Sequence, residues 1–113
     1  MKLKDHLDGE VVIIEFSGKI IPGEELTSFH RRVHFYLDMK KKGFVIDLDK
    51  VEWISSAGLG ALIGAYASVR KAEGKLVLAN VTNVLSLLNL TQLVKVFETF
   101  DSRSDAIESF LKE

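Results

Sequence analysis

The sequence contains no cysteine and no long apolar run, and its opposite charges almost cancel. Without cysteine the chain has no disulfide, no thiolate nucleophile and no cysteine-ligated zinc site. No segment approaches the roughly 18 apolar residues of a membrane-spanning helix, so we expect no membrane-embedded part. A formal net charge of -1 provides no overall field that would attract nucleic acid or an anionic membrane.

Low-complexity stretches, long linkers and internal repeats are also missing from the sequence. The chain has 113 residues, of which 47% are hydrophobic and 27% charged, as is ordinary for a globular domain. We therefore expect residues 1–113 to form a single domain. Its first residues, MKLKDHLDG, are charged and do not resemble a secretory signal peptide, so we expect a cytoplasmic protein.

Runs of β-branched and aromatic residues alternate along the chain with segments of helical periodicity. Strands are predicted at VVIIEF (11–16), FVIDLD (44–49), KLVLANV (75–81) and VFETF (96–100), with the charged segment 1–8 as an edge strand. The turn IIPGEE (20–25) leads into a first predicted helix, which starts near Glu24 and has Lys40 to Lys42 in its last turn, before Gly43. Further helices are predicted from the serine pair at 55–56 to Gly74, over TNVLSLLN (82–89), and from Ser102 onwards. This order predicts an α/β fold in which about four helices pack on a mixed sheet of about four or five strands.

Two of the predicted helices show clear apolar faces. The first helix has a stripe made of Leu26, Phe29, Val33 and Tyr36 or Leu37, and Lys40 to Gly43 end it. In the last helix Ser102 and Asp105 have the spacing of a capping box, and the predicted buried residues are Ile107, Phe110 and Leu111.

The segment EWISSAGLGALIGAY (52–66) places two serines and three glycines at the start of a predicted helix. A helix start at the C-terminal edge of an open α/β sheet offers unpaired backbone N–H groups and suits an anion. A purely structural interpretation is also open, because serine is a favoured N-cap and would explain one of the pair. Gly60 and Gly64, one turn apart, would then only permit close helix packing.

The longer segment VIDLDKVEWISSAGLGALIGAYASVRKAEGKLVLANV (45–81) resembles the signature of the STAS domain family, the sulphate transporter and anti-sigma factor antagonist domain. VVIIEFSGKI (11–20) is similar to the first central strand of that family, and LLNLTQLVKVFETFDSRSDAI (87–107) to its closing segment. The resemblance covers nearly the whole chain and implies the STAS fold. It also implies a standalone bacterial anti-sigma factor antagonist, a binding protein and not an enzyme.

In this family a serine just ahead of the G-L-G element is phosphorylated by a partner kinase that also acts as the anti-sigma factor. The resemblance assigns this role to Ser56, with Ser55 as second choice. The unphosphorylated form would bind the kinase and free the sigma factor, and phosphorylation would end the association. The implied partner-binding residues lie at the helix start and in the loop expected beside it: Ser55, Ser56, Ala57, Gly58 and Leu59, with Lys19, Ile21, Gly23 and Glu24.

A serine phosphatase and a second copy of the chain are further partners to consider, and no nucleic acid, membrane, cofactor or metal is expected. Two positions depart from the family pattern: many members carry Asp where this chain has Ser55, and many carry G-x-L-D where it has Gly18-Lys19-Ile20-Ile21. An interaction module that scaffolds another assembly without phosphorylation is therefore the alternative.

A third interpretation, an enzyme that uses Ser56 as a nucleophile, is not supported by the residues around it. The nucleophile elbow G-x-S-x-G would need glycine where this chain has Ile54, and no His–acid pair accompanies the serine. His30 and His34 lie one helical turn apart, but the Arg-Arg-Val between them supplies no general base, so we interpret this pair as solvated helix surface.

Overall fold

The computed structural model describes residues 2–84 and 96–111, with only the backbone described at 82 and 83. Strands and helices alternate in the order that the sequence predicts, and the α/β class is confirmed. The elements are β1 (Lys2–Asp8), β2 (Val11–Ile20), α1 (Glu24–Asp38), β3 (Gly43–Ile54), α2 (Ser56–Lys71), β4 (Lys75–Ala79), a 3-10 turn (Val81–Val84), β5 (Glu98–Phe100) and α3 (Arg103–Leu111). Of the helix predicted at 82–89, only the 3-10 turn lies within the described residues.

The strands form one mixed sheet in the order β1-β2-β3-β4-β5. β1 runs antiparallel to β2, to which a two-residue turn connects it, and the pairs β2–β3, β3–β4 and β4–β5 are parallel. The C-terminal ends of the parallel strands therefore lie at the same end of the sheet, and α2 begins directly after the end of β3.

Helices cover both faces of the sheet, which explains why its central strands are almost continuously apolar. On one face α1 and α2 pack on a core that includes Phe16, Phe29, Phe44, Leu48 and Leu62. On the other face α3 packs through Ala106 on a smaller cluster that includes Val45 and Val77. Both faces of β2, β3 and β4 are thus removed from water, and these buried strands support the loops at their C-terminal ends.

The predicted ends of several elements were wrong, for identifiable reasons. α1 ends at Asp38, because Lys40 takes the left-handed conformation with φ 66°, and Gly43 already belongs to β3. β4 ends at Ala79, because Asn80 also has a positive φ of 58°. β3 continues to Ile54, five residues beyond the predicted end at Asp49.

The buried face of α3 also differs from the prediction. Ala106 is completely buried, Ile107 and Phe110 are partly buried, and Leu111 is 73% exposed. An apolar stripe places a side chain towards the sheet only where the helix still lies over it, and Leu111 is the last described residue of α3. The predicted cap is confirmed, because the backbone N–H of Asp105 donates to the hydroxyl of Ser102 at 3.1 Å.

Candidate functional site

The two serines at the start of α2 have different environments. Ser55 is the N-cap, with extended backbone (φ -79°, ψ 167°), and its Oγ accepts the backbone N–H of Gly58 at 3.0 Å. Ser56 is the first residue of the helix, its side chain is exposed, and its hydroxyl has no hydrogen-bond partner among the described residues. Capping therefore explains Ser55 and leaves the hydroxyl of Ser56 accessible at the positive end of the helix.

A close backbone approach fixes the helix start against the end of β2. The backbone N–H of Ser55 donates to the carbonyl oxygen of Ile20 at 2.8 Å. A Cβ atom on Gly58 would lie 2.6 Å from Ile20 Cγ2 and 3.1 Å from the Ile20 carbonyl oxygen, so only glycine fits without displacement. Gly60 and Gly64 have open space around the position of a Cβ and do not serve this packing.

The predicted binding residues fall into two groups. Most have exposed side chains or backbone near the helix start, at the end of β2 or in the chain that follows it: Ser56, Ala57, Lys19, Ile21, Gly23 and Glu24. Ser55 is half-buried, whereas Gly58 and Leu59 are buried. The hydrogen bond between Ser55 and Ile20 brings the two segments together. Gly58 and Leu59 support the helix start from inside, so a partner would meet the exposed group.

Trp53 is an exposed aromatic residue at this site that sequence reasoning did not include. Its side chain is 48% exposed, and in the register of the sheet it lies opposite Lys19. Ile21, two residues after Lys19, is also exposed. The sequence signal was available, because an exposed tryptophan is uncommon on a monomeric surface and is enriched at protein interfaces.

Irregular pairing between β2 and β3 explains why Trp53 points outwards. The register shifts once between Glu15 and Ser17 and again between Gly18 and Lys19, and each shift adds one residue on β3. Each added residue reverses the side of the sheet that later side chains occupy. Val51 and Ile54 consequently both point into the core, and the alternation that would place Trp53 with Val51 is lost.

A buried carboxylate lies beside the first of these shifts. Asp47 Oδ1 accepts from the backbone N–H of Asp49 at 3.0 Å and from Asn80 Nδ2 at 2.9 Å, and Oδ2 accepts from Arg103 Nε at 2.7 Å. Burial by itself would raise the pKa of Asp47, but these hydrogen bonds and the charge of Arg103 hold that pKa below its ordinary value. Glu15 also belongs to this cluster. Its Oε2 lies 3.4 Å from Arg103 Nη2, and its Oε1 lies 3.2 Å from Lys50 Nζ.

The start of α2 is a favourable position for a negative charge. Free N–H groups and the helix dipole at the start of α2 favour a negative charge on Ser56. Within residues 2–84 and 96–111, no cluster of His, Cys, Asp or Glu side chains could hold a metal ion. No helix in that part of the chain is long and apolar enough to cross a membrane.

The fold is that of a mixed α/β domain in which a helix begins directly after a central strand. The chain belongs to the STAS domain family, whose model matches residues 3–106. Comparison with curated protein sequences finds no match.

Solved structures of bacterial STAS proteins are similar over nearly their full length. The Thermotoga maritima protein TM1081, a candidate anti-sigma factor antagonist, is 25% identical with a TM-score of 0.81, and the match covers 95% of this chain and 92% of that chain. An anti-sigma factor antagonist from Mycobacterium paratuberculosis is 23% identical with a TM-score of 0.78, covering 96% and 92%. The Bacillus cell fate determinant SpoIIAA in its phosphorylated form is 12% identical with a TM-score of 0.77, covering 96% and 99%. The last two likenesses concern the fold alone.

Proposed function

We propose that this protein is a cytoplasmic anti-sigma factor antagonist whose binding is switched off by phosphorylation of Ser56. The observation that carries the proposal is the separation of roles between the two serines. Ser55 uses its hydroxyl to cap α2, whereas the hydroxyl of Ser56 is exposed and without a partner among the described residues. A kinase can therefore reach Ser56 without breaking a hydrogen bond of the fold.

Phosphorylation of Ser56 would act on the partner and leave the domain folded. A phosphoserine carries about 1.5 to 2 negative charges at neutral pH, and a helix start tolerates this charge through its N–H groups and dipole. At a protein interface the same dianion would have to lose its hydration against the partner, which is costly. The unphosphorylated protein would bind the anti-sigma factor kinase, and a serine phosphatase would restore it.

The departure from the family pattern at position 55 is compatible with this function. Aspartate and serine are both strong N-cap residues, because each offers a side-chain oxygen to the N–H groups of the first helical turn. Ser55 performs this task through its hydrogen bond with Gly58. The structural role of the usual aspartate is therefore retained, and only its charge is missing.

The partner surface that we propose consists of exposed groups around Ser56. Ala57 leaves room beside the acceptor hydroxyl, and Trp53 and Ile21 add large apolar side chains. Lys19, Gly23 and Glu24 extend the surface along the chain that leads into α1. Trp53 would be the main anchor, because aromatic residues that become buried dominate the binding energy of protein interfaces.

A scaffold module that binds partners without phosphorylation is the second candidate. The exposed Ile21 favours it, because many family members have an acidic residue at that position. An apolar residue there adds to the surface around Trp53 and removes a charge with which a kinase could dock. Both candidates use the same surface, and only the first requires phosphate on Ser56.

Phosphosite mapping by mass spectrometry of the protein isolated from its native cells separates the two candidates. We expect phosphate on Ser56 in the wild type, no phosphate in Ser56→Ala, and retained phosphate on Ser56 in Ser55→Ala. The last variant is the control for damage to the helix start, since loss of the cap costs about 1 kcal/mol. An unmodified Ser56 under all growth conditions would contradict the switch and favour the scaffold.

A further inference from the structure

β1 has an outer edge that pairs with no strand within the described part of the chain. Seven consecutive residues, Lys2 to Asp8, pair with β2 on the inner side only. The turn at residues 9 and 10 is a two-residue hairpin loop, which makes Asp8 and Val11 a hydrogen-bonded pair. Hydrogen-bonded and non-bonded pairs alternate along an antiparallel ladder, so the backbone N–H and C=O groups of Leu3, Asp5 and Leu7 point outwards.

A side-chain contact supports this assignment of the outer groups. Arg32 Nη1 of α1 donates to the carbonyl oxygen of Leu3 at 3.3 Å, which agrees with an oxygen that points away from β2. A carbonyl oxygen has two lone pairs and can accept a second bond. The outer edge of β1 is therefore a run of alternate donors and acceptors that remains available for another strand.

The two ends of β1 carry opposite charges, which would face each other in a second β1 that runs in the opposite direction. We propose that two copies of this chain form a homodimer through β1, with antiparallel pairing centred on Asp5. In this register Leu3 faces Leu7 of the second copy, so all the outward N–H and C=O groups are paired. Lys2 faces Asp8, and both side chains are exposed in the single chain. Shifting the second copy by two residues in either direction would still pair backbone groups. Such a shift loses the outermost pairs or places like charges opposite each other.

Exposed apolar side chains lie on the same side of the molecule. Phe35 is 58% exposed, and Met39 and Leu7 are exposed as well. Phe35 and Met39 follow Arg32 by three and seven residues, so they lie on the side of α1 that Arg32 turns towards β1. The twofold axis of an antiparallel strand pair is perpendicular to the sheet, so both α1 helices lie on one face. Phe35 and Met39 of the two copies then face each other across the joined strands.

The pairing of Asp5 with Asp5 of the second copy is compensated within each chain. Arg32 forms an ion pair with this carboxylate, and the hydroxyl of Tyr36 donates to its other oxygen. The two carboxylates therefore meet as neutralised groups. The interface uses none of the residues around Ser56, so it is independent of the proposed phosphorylation.

Sedimentation analysis over a range of concentrations, with charge-exchange variants, tests this interface. The wild type should pass from monomer to dimer as its concentration rises. Lys2→Asp and Asp8→Lys each place two like-charged pairs in the interface, and each should raise the dissociation constant about tenfold or more. The double variant Lys2→Asp/Asp8→Lys restores opposite charges and should dimerise like the wild type. Circular dichroism of each variant checks that it remains folded.

Amide hydrogen exchange identifies the edge independently of these substitutions. On dimerisation the amides of Leu3, Asp5 and Leu7 should become protected, whereas those of Lys4 and His6, already bonded to β2, should not change. Phe35→Ser should weaken the dimer, and Leu111→Ser, at an exposed apolar position of α3, is its matched control. A chain that stays monomeric up to about 1 mM would overturn the proposal. A dimer that the double variant does not restore, or one protected at Trp53 instead of β1, would also overturn it.

Discussion

Glycine has two unrelated roles in α2. Gly58 is buried where the helix start touches Ile20 and Ile54, and a Cβ atom there would lie only 2.6 Å from Ile20 Cγ2. Gly60, two residues later, is exposed, with nothing within 4 Å of where a Cβ would be. The first glycine is required by the packing that positions Ser56, and the second only lowers the intrinsic stability of the helix.

Alanine substitution should therefore have opposite effects at these two positions. We expect Gly58→Ala to lower the free energy of unfolding by about 1–3 kcal/mol, because the methyl group forces the helix start away from β2. Gly60→Ala should raise it by up to about 1 kcal/mol, because alanine is the better helix former in open space. Urea denaturation of both variants against the wild type measures the difference. Equal changes at both positions would show that the approach to Ile20 does not constrain the fold.

The roles of Ser55 and Ser56 could be predicted only in part from the sequence. Residue chemistry explained one of the two as a helix cap but could not say which, because serine serves equally well at either position. The acceptor role of Ser56 came from the family resemblance and stays a prediction. Backbone geometry decides the assignment, since Ser55 is extended and Ser56 is already helical. The burial of Gly58 and Leu59 was also beyond the sequence, because it depends on how closely α2 approaches β2.

At the scale of elements, β3 is the strand whose course sets the site. It is the longest strand, it ends one residue before the N-cap of α2, and two register shifts separate its regular half from the half that carries Trp53. The carboxylate of Asp47 lies where the regular half ends, and it links β3 to Asn80, directly after β4, and to Arg103 of α3. α3 is thereby attached by an ion pair to the strand that leads to Ser56.

Asp47 should make the stability of the domain depend on pH in the acid range. Its pKa is lowered in the folded state, so the folded protein holds the charged form more strongly than the unfolded chain does. The resulting stabilisation is complete above the pKa of an unfolded aspartate, about 4, and is lost as the pH falls through the lower folded value. Asp47→Asn should lower the free energy of unfolding by about 1–3 kcal/mol at neutral pH and remove this part of the acid dependence.

Urea denaturation at several pH values between about 7 and about 3 measures both effects, with the exposed Glu52→Gln as control. The control should retain the stability and the pH dependence of the wild type. An Asp47→Asn variant that loses stability with falling pH as steeply as the wild type would contradict the role assigned to this carboxylate.

The sequence predicted the order and type of the elements better than their ends. Strongly periodic segments such as α1 and the apolar runs of β2 and β4 were predictable, because burial on one or both faces leaves a clear pattern. The end of β3 was not predictable, because Asp49, Lys50 and Glu52 resemble a loop. The bulges that keep these residues in a strand arise from pairing with β2. The exposure of Trp53 follows from those bulges and was missed for the same reason.

At the scale of the whole molecule, the two proposed surfaces occupy different parts of the fold. Ser56 and Trp53 lie where the parallel strands end, whereas the outer side of β1 is an edge of the sheet. The central strands of the sheet that carries both surfaces are buried on both faces. We therefore expect the effect of a changed charge on Ser56 to be confined to whatever binds at that end.

A negative charge on Ser56 should consequently leave the domain folded and at least as stable. Ser56→Asp places a carboxylate in the first turn of α2, where the dipole favours it, so we expect the free energy of unfolding to stay constant or rise by about 0.3–1 kcal/mol. Ser68→Asp is the matched control, because it makes the same substitution near the opposite end of the same helix, and it should destabilise the domain. Circular dichroism and urea denaturation of both variants, and of the phosphorylated protein, measure these effects. A large loss of helix on phosphorylation of Ser56 would mean that the switch acts by unfolding the site, and the proposal of a switch confined to the interface would be wrong.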